Sequence, residues 1–140
     1  MEFCNREDLS AFLQKHKAID LMSKVKIMSQ SSSAIAFMHS QRPAVIHRDL
    51  KLQNILMTSQ GGEDIVKVTD FGLSNMFHDK STTLSGLLNQ TSAIHMTPVL
   101  GSEFFMAPEL FAKHDGQMLY DLSIDVFARG LVHMVILDFD

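Results

Sequence analysis

Eight consecutive residues, "HRDLKLQN" from His47 to Asn54, put an imidazole, a carboxylate, an amine and an amide in one short stretch. Asp49 follows the apolar segment "AVI", and Asn54 opens another, "ILM". Further along, Asp70 ends the β-branched run "DIVKVTD" immediately before "FG". Strand ends that converge from a hairpin would bring Asp49, Asn54 and Asp70 around a cation, and oxygen-only ligands suit a hard ion such as magnesium. Lys51 beside them can meet a phosphate as a point charge. Spacing alone leaves this open, since two acids and an amide so far apart are also ordinary surface polar residues.

Positioning such groups needs a scaffold, and the flanking patterns describe one. "REDLSAFLQKH" places acids before Leu9, Phe12 and Leu13 on one face, the start of a short helix. From Asp20 to about His39, Leu21, Val25, Met28, Ile35 and Met38 recur at three- and four-residue intervals, which predicts a long helix weakened at Ser31–Ser33. Pro43 ends that helix or the loop after it, and "AVIH" is long enough only for a small strand. "NILM" and "DIVKVTD" flank "TSQGGE", a hairpin signal with a Gly-Gly turn. From Met76 to Leu100 the period disappears among serines and threonines, so a long loop is expected there. Pro108 is placed to open a helical turn. From about Leu122, "LSIDVFARGLVHMVIL" reads as a helix apolar nearly all round and therefore central.

Composition narrows the class. A chain of 140 residues with 46% apolar and 20% charged side chains can bury a core, which argues against disorder throughout. A net charge of −4 without a basic block makes nucleic acid a poor partner. The single cysteine, Cys4, forms no intrachain disulfide and fits a reducing compartment. Neither an apolar run of membrane-spanning length nor a signal-peptide pattern is visible, so a soluble, cytoplasmic domain is expected. Apolar sequence runs to both termini, which suggests a piece of something larger.

Four strings, "HRDLKLQNIL", "VTDFGLS", "GSEFFMAPEL" and "DVFARG", stand in the order and approximate spacing of the protein kinase family, which the chain resembles over essentially all of its length. The resemblance implies an α+β, protein-kinase-like fold: a mainly helical C-lobe with a small catalytic β-hairpin and no N-lobe. Residues 1–8 would be the hinge, 8–40 helices, 47–54 the catalytic loop, 54–69 the hairpin, 70–109 the activation segment and 122–137 the central helix. It further implies ATP and magnesium as cofactors and a protein substrate. Asp49 would be the catalytic aspartate that aims the substrate hydroxyl, and Lys51 the lysine that steadies the transferred phosphate. Asn54 and Asp70 would hold the metal, while the backbone of Glu2 and Cys4, with Asp8 and Leu56, would meet the nucleotide and Met1 would be the gatekeeper. His47 and Phe71 resemble members of an apolar stack, Arg48 a partner for a phosphorylated loop residue, and Asp125 the anchor of the catalytic-loop backbone. Gly72, Ser102 and Glu109 take structural or regulatory places in the matching motifs. Lysine in "HRDLK" resembles the serine/threonine-directed branch, and "VKVTDFGLS" leans towards its tyrosine-kinase-like group.

Several residues depart from the pattern. The 140 residues hold no Gly-rich loop, no "VAIK"-type lysine and no partner glutamate, so the resemblance covers about half of a family domain. Leu52 replaces a usual proline, and Arg129 puts a charge on a helix expected to be buried, where it needs a partner or a way out to solvent. The expectation is phosphoryl transfer to protein serine/threonine hydroxyls by the complete kinase. The alternative is a catalytically silent, truncated binding or scaffold module. The remaining histidines lack zinc-ligand spacing, and His47 reads as structural.

Overall fold

A computed structural model of the chain describes residues 7–71, 74–77, 103–110 and 121–139. The first helix, α1 (Leu9–Lys15), begins where the Asp8 carboxylate accepts the Ala11 N–H at 3.0 Å, satisfying a donor that the helix itself cannot. It buries Leu9, Phe12 and Leu13. The second, α2 (Leu21–Ser40), starts the same way: Asp20 accepts the Ser23 N–H at 3.0 Å and the Ser23 hydroxyl at 2.6 Å. Its buried residues Lys24, Ile27, Ser31, Ile35 and Met38 repeat every three or four positions, as one helix face requires.

The expected weakness at Ser31–Ser33 is not a break, because α2 runs through it. The hydroxyl oxygens of Ser31, Ser32 and Ser33 lie 2.9, 2.8 and 2.9 Å from the carbonyls of Met28, Met28 and Ser29. Hydroxyls that could compete with the helix ladder are thereby absorbed by it.

After α2 comes β1 (Ala44–Ile46), then a single 3-10 turn (Leu52–Asn54) leading into the hairpin β2 (Ile55–Gln60) and β3 (Glu63–Val68). Gln60 pairs with Glu63, so the turn has only Gly61 and Gly62, at φ +60° and +85°. A two-residue hairpin loop with both residues at positive φ is the geometry that glycine allows without strain. β1 pairs antiparallel with β4 (Asn75–Phe77), with Val45 opposite Met76. β4 lies at the edge of the stretch expected to be loop; its pairing partner is some thirty residues earlier, beyond the reach of a local pattern. Further 3-10 turns, Glu103–Phe105 and Pro108–Leu110, precede the last helix, α3 (Ser123–Asp138). Asp121 accepts the Ser123 N–H at 2.7 Å there, and bonding from Ser123 holds its carboxyl below the usual 3.8.

The main core joins α1, α2, the hairpin and α3 through Leu9, Leu13, Ile27, Ile55, Met57, Val132 and Ile136. Each such side chain taken from water contributes about 1.5–3 kcal/mol before the entropy of ordering is subtracted. A second cluster of Ile35, Met38, Leu50 and Ala128 joins α2, the segment after β1 and α3. α3 is less enclosed than its sequence suggests. Ile124, Ala128, Val132 and Ile136 are buried, but Val126, Phe127, Met134 and Leu137 are exposed. Arg129 is partly exposed, and its Nε is buried without a partner among the described residues. The arrangement is α+β, mainly helical, with a small antiparallel hairpin. No described helix is long and apolar enough to cross a membrane.

Candidate active site

The backbone at His47–Arg48 turns sharply, and Arg48 sits at φ +69°, a left-handed conformation costly for a non-glycine residue. Asp125, on the first turn of α3 and 1% exposed, holds it there. Its Oδ2 accepts the His47 N–H at 2.8 Å and its Oδ1 accepts the Arg48 N–H at 2.9 Å. His39, at the end of α2, brings a third donor: its Nε2 lies 2.9 Å from Asp125 Oδ2. A buried carboxylate is tolerable only with such a set of donors. α2 and α3 thus grip the loop jointly, through one acid.

His47 is fully buried, and its partners fix its tautomer. Nε2 lies 2.8 Å from the Thr69 carbonyl, which can only accept, so Nε2 carries the proton. Nδ1 then accepts the Asp49 N–H at 3.3 Å. With both nitrogens committed, His47 is a neutral strut between the loop and the end of β3, stacked on Phe71 at 5.3 Å between ring centroids.

Asp49, Lys51 and Asn54 come together within the loop. Lys51 Nζ donates to Asp49 Oδ2 at 2.8 Å, and Asn54 Nδ2 donates to the same oxygen at 3.0 Å and to the Asp49 carbonyl at 2.7 Å. The amide nitrogen of Asn54 is thus the side committed to Asp49. Lys51 and Asp49 side chains are each 19% exposed, so this ion pair is reachable yet partly shielded. The arrangement aims a carboxylate and places a positive charge beside it.

The hairpin brings the remaining acid to the same end. The Thr69 N–H donates to the Asn54 carbonyl at 2.9 Å, extending the β2–β3 ladder by one pair, with Asp70 the next residue along. Asp70 is exposed and lies at φ +63°, which aspartate tolerates better than most residues. On the neighbouring edge, Asp8 forms an isolated bridge with Leu56, and Met57 N–H donates to the Glu7 carbonyl at 3.0 Å. Asp8 therefore lies beside Leu56, with one carboxylate oxygen used as the α1 cap. Glu109 meets the start of α3, accepting the Ser123 hydroxyl at 3.3 Å. Met1, Glu2, Cys4, Gly72 and Ser102 lie outside the described residues, as does most of the Met76–Leu100 stretch.

His39 was not singled out by sequence reasoning. A histidine near the polar end of a helix carries no signal until Asp125 is placed against it. Among the described residues, no three His, Cys, Asp or Glu side chains converge to hold a metal. The recess beside Asp49, between Arg48–Leu50 and Phe105–Leu110, has a volume of ≈ 10 Å³, room for about one water. A larger one, ≈ 480 Å³, lies elsewhere, between the α1–α2 connection and the hairpin turn.

The loop anchored by Asp125, its aspartate–lysine–asparagine triangle and the hairpin leading to Asp70 agree with what the comparisons find. The chain belongs to the protein kinase family: the model described as "Protein kinase domain" matches residues 1–139. It is 31% identical to the eukaryotic translation initiation factor 2-alpha kinase gcn-2 of Caenorhabditis elegans, over 94% of this chain and 9% of that protein. It is 30% identical to the probable serine/threonine-protein kinase WNK9 of Oryza sativa subsp. japonica, over 88% of this chain and 24% of that protein. It is 29% identical to the serine/threonine-protein kinase tousled-like 1-B of Danio rerio, over 94% and 17% respectively. The chain therefore spans between about a tenth and a quarter of the length of these relatives.

Proposed function

We propose that this chain forms the catalytic-loop half of a serine/threonine protein kinase site, and that the 140 residues by themselves act as a binding or scaffold module without turnover. The observation that carries the first part is the triangle of Asp49, Lys51 and Asn54 on a loop held by Asp125. In the half-site, Asp49 accepts the hydrogen bond of a protein serine or threonine hydroxyl and aims its oxygen. Lys51 leaves Asp49 to meet the transferred phosphoryl group, or stays and orients the acid. Asn54 Oδ1 and the Asp70 carboxylate suit magnesium, and the edge at Asp8 and Leu56 is where adenine and ribose would rest, with Glu2 and Cys4 assigned to the same nucleotide contact by the family resemblance. Magnesium-bound ATP supplies the phosphoryl group and neutralises charge as it redistributes. Segments 1–8, 47–54, 54–69, 70–109 and 122–137 are assigned as hinge, catalytic loop, hairpin, activation segment and central helix on the same basis.

The second part rests on how little of a kinase these 140 residues cover, between about a tenth and a quarter of the relatives' length. The sequence, moreover, contains no Gly-rich loop to close over phosphates. Phosphoryl transfer depends almost wholly on positioning and electrostatics, so a site with one wall should bind weakly and turn over little. The purified 140-residue chain should show no magnesium-dependent ATP turnover sensitive to Asp49→Asn. Reproducible turnover lost in that variant would overturn the silent-module reading. Replacing the matching segment of the tousled-like kinase with residues 1–139 tests the half-site. The chimera should phosphorylate protein and lose this with Asp49→Asn; a folded chimera without activity contradicts it.

A further inference from the structure

The seam between α2 and α3 holds a polar cluster that the catalytic loop does not use. Ser31, 2% exposed, faces His133 across the seam, with Oγ 3.2 Å from Nε2. Arg129 lies one helical turn before His133 on α3. The direction of the Ser31–His133 bond follows from counting protons. The Met28 carbonyl is approached by Ser31 Oγ at 2.9 Å, by Ser32 Oγ at 2.8 Å and by the helical N–H of Ser32. A carbonyl offers two lone pairs, so one hydroxyl proton is surplus there. His133 Nε2 is the acceptor that Ser31 can give it to.

We propose that the Ser31–His133 bond is a protonation-sensitive latch across the α2–α3 seam. In the neutral state the imidazole keeps its proton on Nδ1 and accepts from Ser31 at Nε2. Proton uptake at Nε2 makes it a donor, forces the Ser31 proton back to the crowded Met28 carbonyl and sets a second positive charge beside Arg129. Burial, and after it the charge of Arg129, hold this histidine below the usual 6.5, as both costs require. The unfolded chain therefore takes up this proton first, so the latch's stability is complete above about pH 6.5 and declines as pH falls below it.

Among the described residues, no hydrogen bond or ion pair joins His133 to an acid. From α2 it meets the neutral Ser31, while Lys24 is held by the carbonyls of Leu137 and Phe139, Lys26 by Glu63 and His39 by Asp125. From the Glu103–Phe105 turn, the described side chains Phe104 and Phe105 are apolar. Because α2 carries His39 and α3 carries Asp125, opening the seam would slacken both grips on the catalytic loop. The latch itself does not depend on whether the chain transfers phosphate.

Nitrogen-15 NMR of the 140-residue chain reads the tautomer directly. At pH 7.5 the His133 ring should carry its proton on Nδ1, and its titration midpoint should fall below 6.5. An Nε2–H tautomer, or a midpoint at or above that value, overturns the proposal. Ser31→Ala removes the donor to the neutral ring and should move the midpoint upward; an unmoved midpoint also overturns it. In urea titrations, the fall in unfolding midpoint from pH 7.5 to 5.5 should be smaller in His133→Gln than in the native chain, and an equal fall contradicts the latch.

Discussion

Asp125 and Asp20 do the same elementary work, accepting backbone N–H groups near a helix start, in opposite surroundings. Asp20 is fully exposed and serves its own helix, with both contacts going to Ser23 three residues on. Asp125 is buried and serves a distant segment, taking N–H groups from His47 and Arg48 and a ring nitrogen from His39. Water can replace a donor lost at Asp20, and nothing replaces one lost at Asp125. A local cap tunes a helix, whereas a buried anchor decides where a loop sits. The geometry of the His47–Asn54 loop therefore depends on α3 as much as on the residues of the loop.

Substitutions should separate the two regions by size of effect. Asp125→Ala leaves two backbone donors and His39 facing an empty buried site, and should cost about 3–5 kcal/mol in urea or guanidinium unfolding. A loss under about 1 kcal/mol would break the contrast. His39→Ala removes one of three donors from the buried acid and should cost about 1–3 kcal/mol, with His39→Gln recovering part of it by keeping an N–H. Asp8→Ala, a cap at a half-buried position, should cost about 1 kcal/mol. Lys26 and Glu63 pair at 3.2 Å with both side chains largely exposed, and removing either should change stability by a few tenths of a kcal/mol, less in salt.

The exposed caps leave their own pH signature. Hydrogen bonds from Ser23 hold the Asp20 carboxyl below its usual 3.8, and those from Ser123 do the same for Asp121. Both contributions are present above pH 3.8 and are lost as pH falls through the lowered folded-state values. Asp20→Asn should flatten the acid limb of the stability profile slightly. A profile unchanged below pH 4 in that variant would show that the cap bond forms equally with the protonated acid.

Much of the scaffold was legible because its signals are local. Gly61-Gly62 between alternating strands specifies the hairpin, and the three- and four-residue spacing of apolar positions specifies α2. The long helix expected through Ser31–Ser33 is there, and the Ser32 and Ser33 hydroxyls, which propensity counts as competitors, bond back into it. β4 was unreadable because a three-residue strand has meaning only through β1. The apolar circumference of α3 suggested full burial, yet Phe127, Met134 and Leu137 are exposed; periodicity gives a helix but not what covers each face. At the candidate site, residue types pointed to Asp49, Lys51, Asn54 and Asp70, and the family resemblance supplied Asp125. His39 needed the fold, since its meaning comes from an acid 86 residues away.

The central claim is that α3 holds the His47–Asn54 loop through Asp125, and amide hydrogen exchange measures that hold at single residues. The His47 and Arg48 amides should be protected to nearly the level of core amides such as Val132, while the Ser23 amide, bonded to an exposed cap, exchanges much faster. Asp125→Ala should bring His47 and Arg48 down to the Ser23 level. If His47 and Arg48 exchange as fast as Ser23 in the native chain, the loop is not anchored in this way and the account fails.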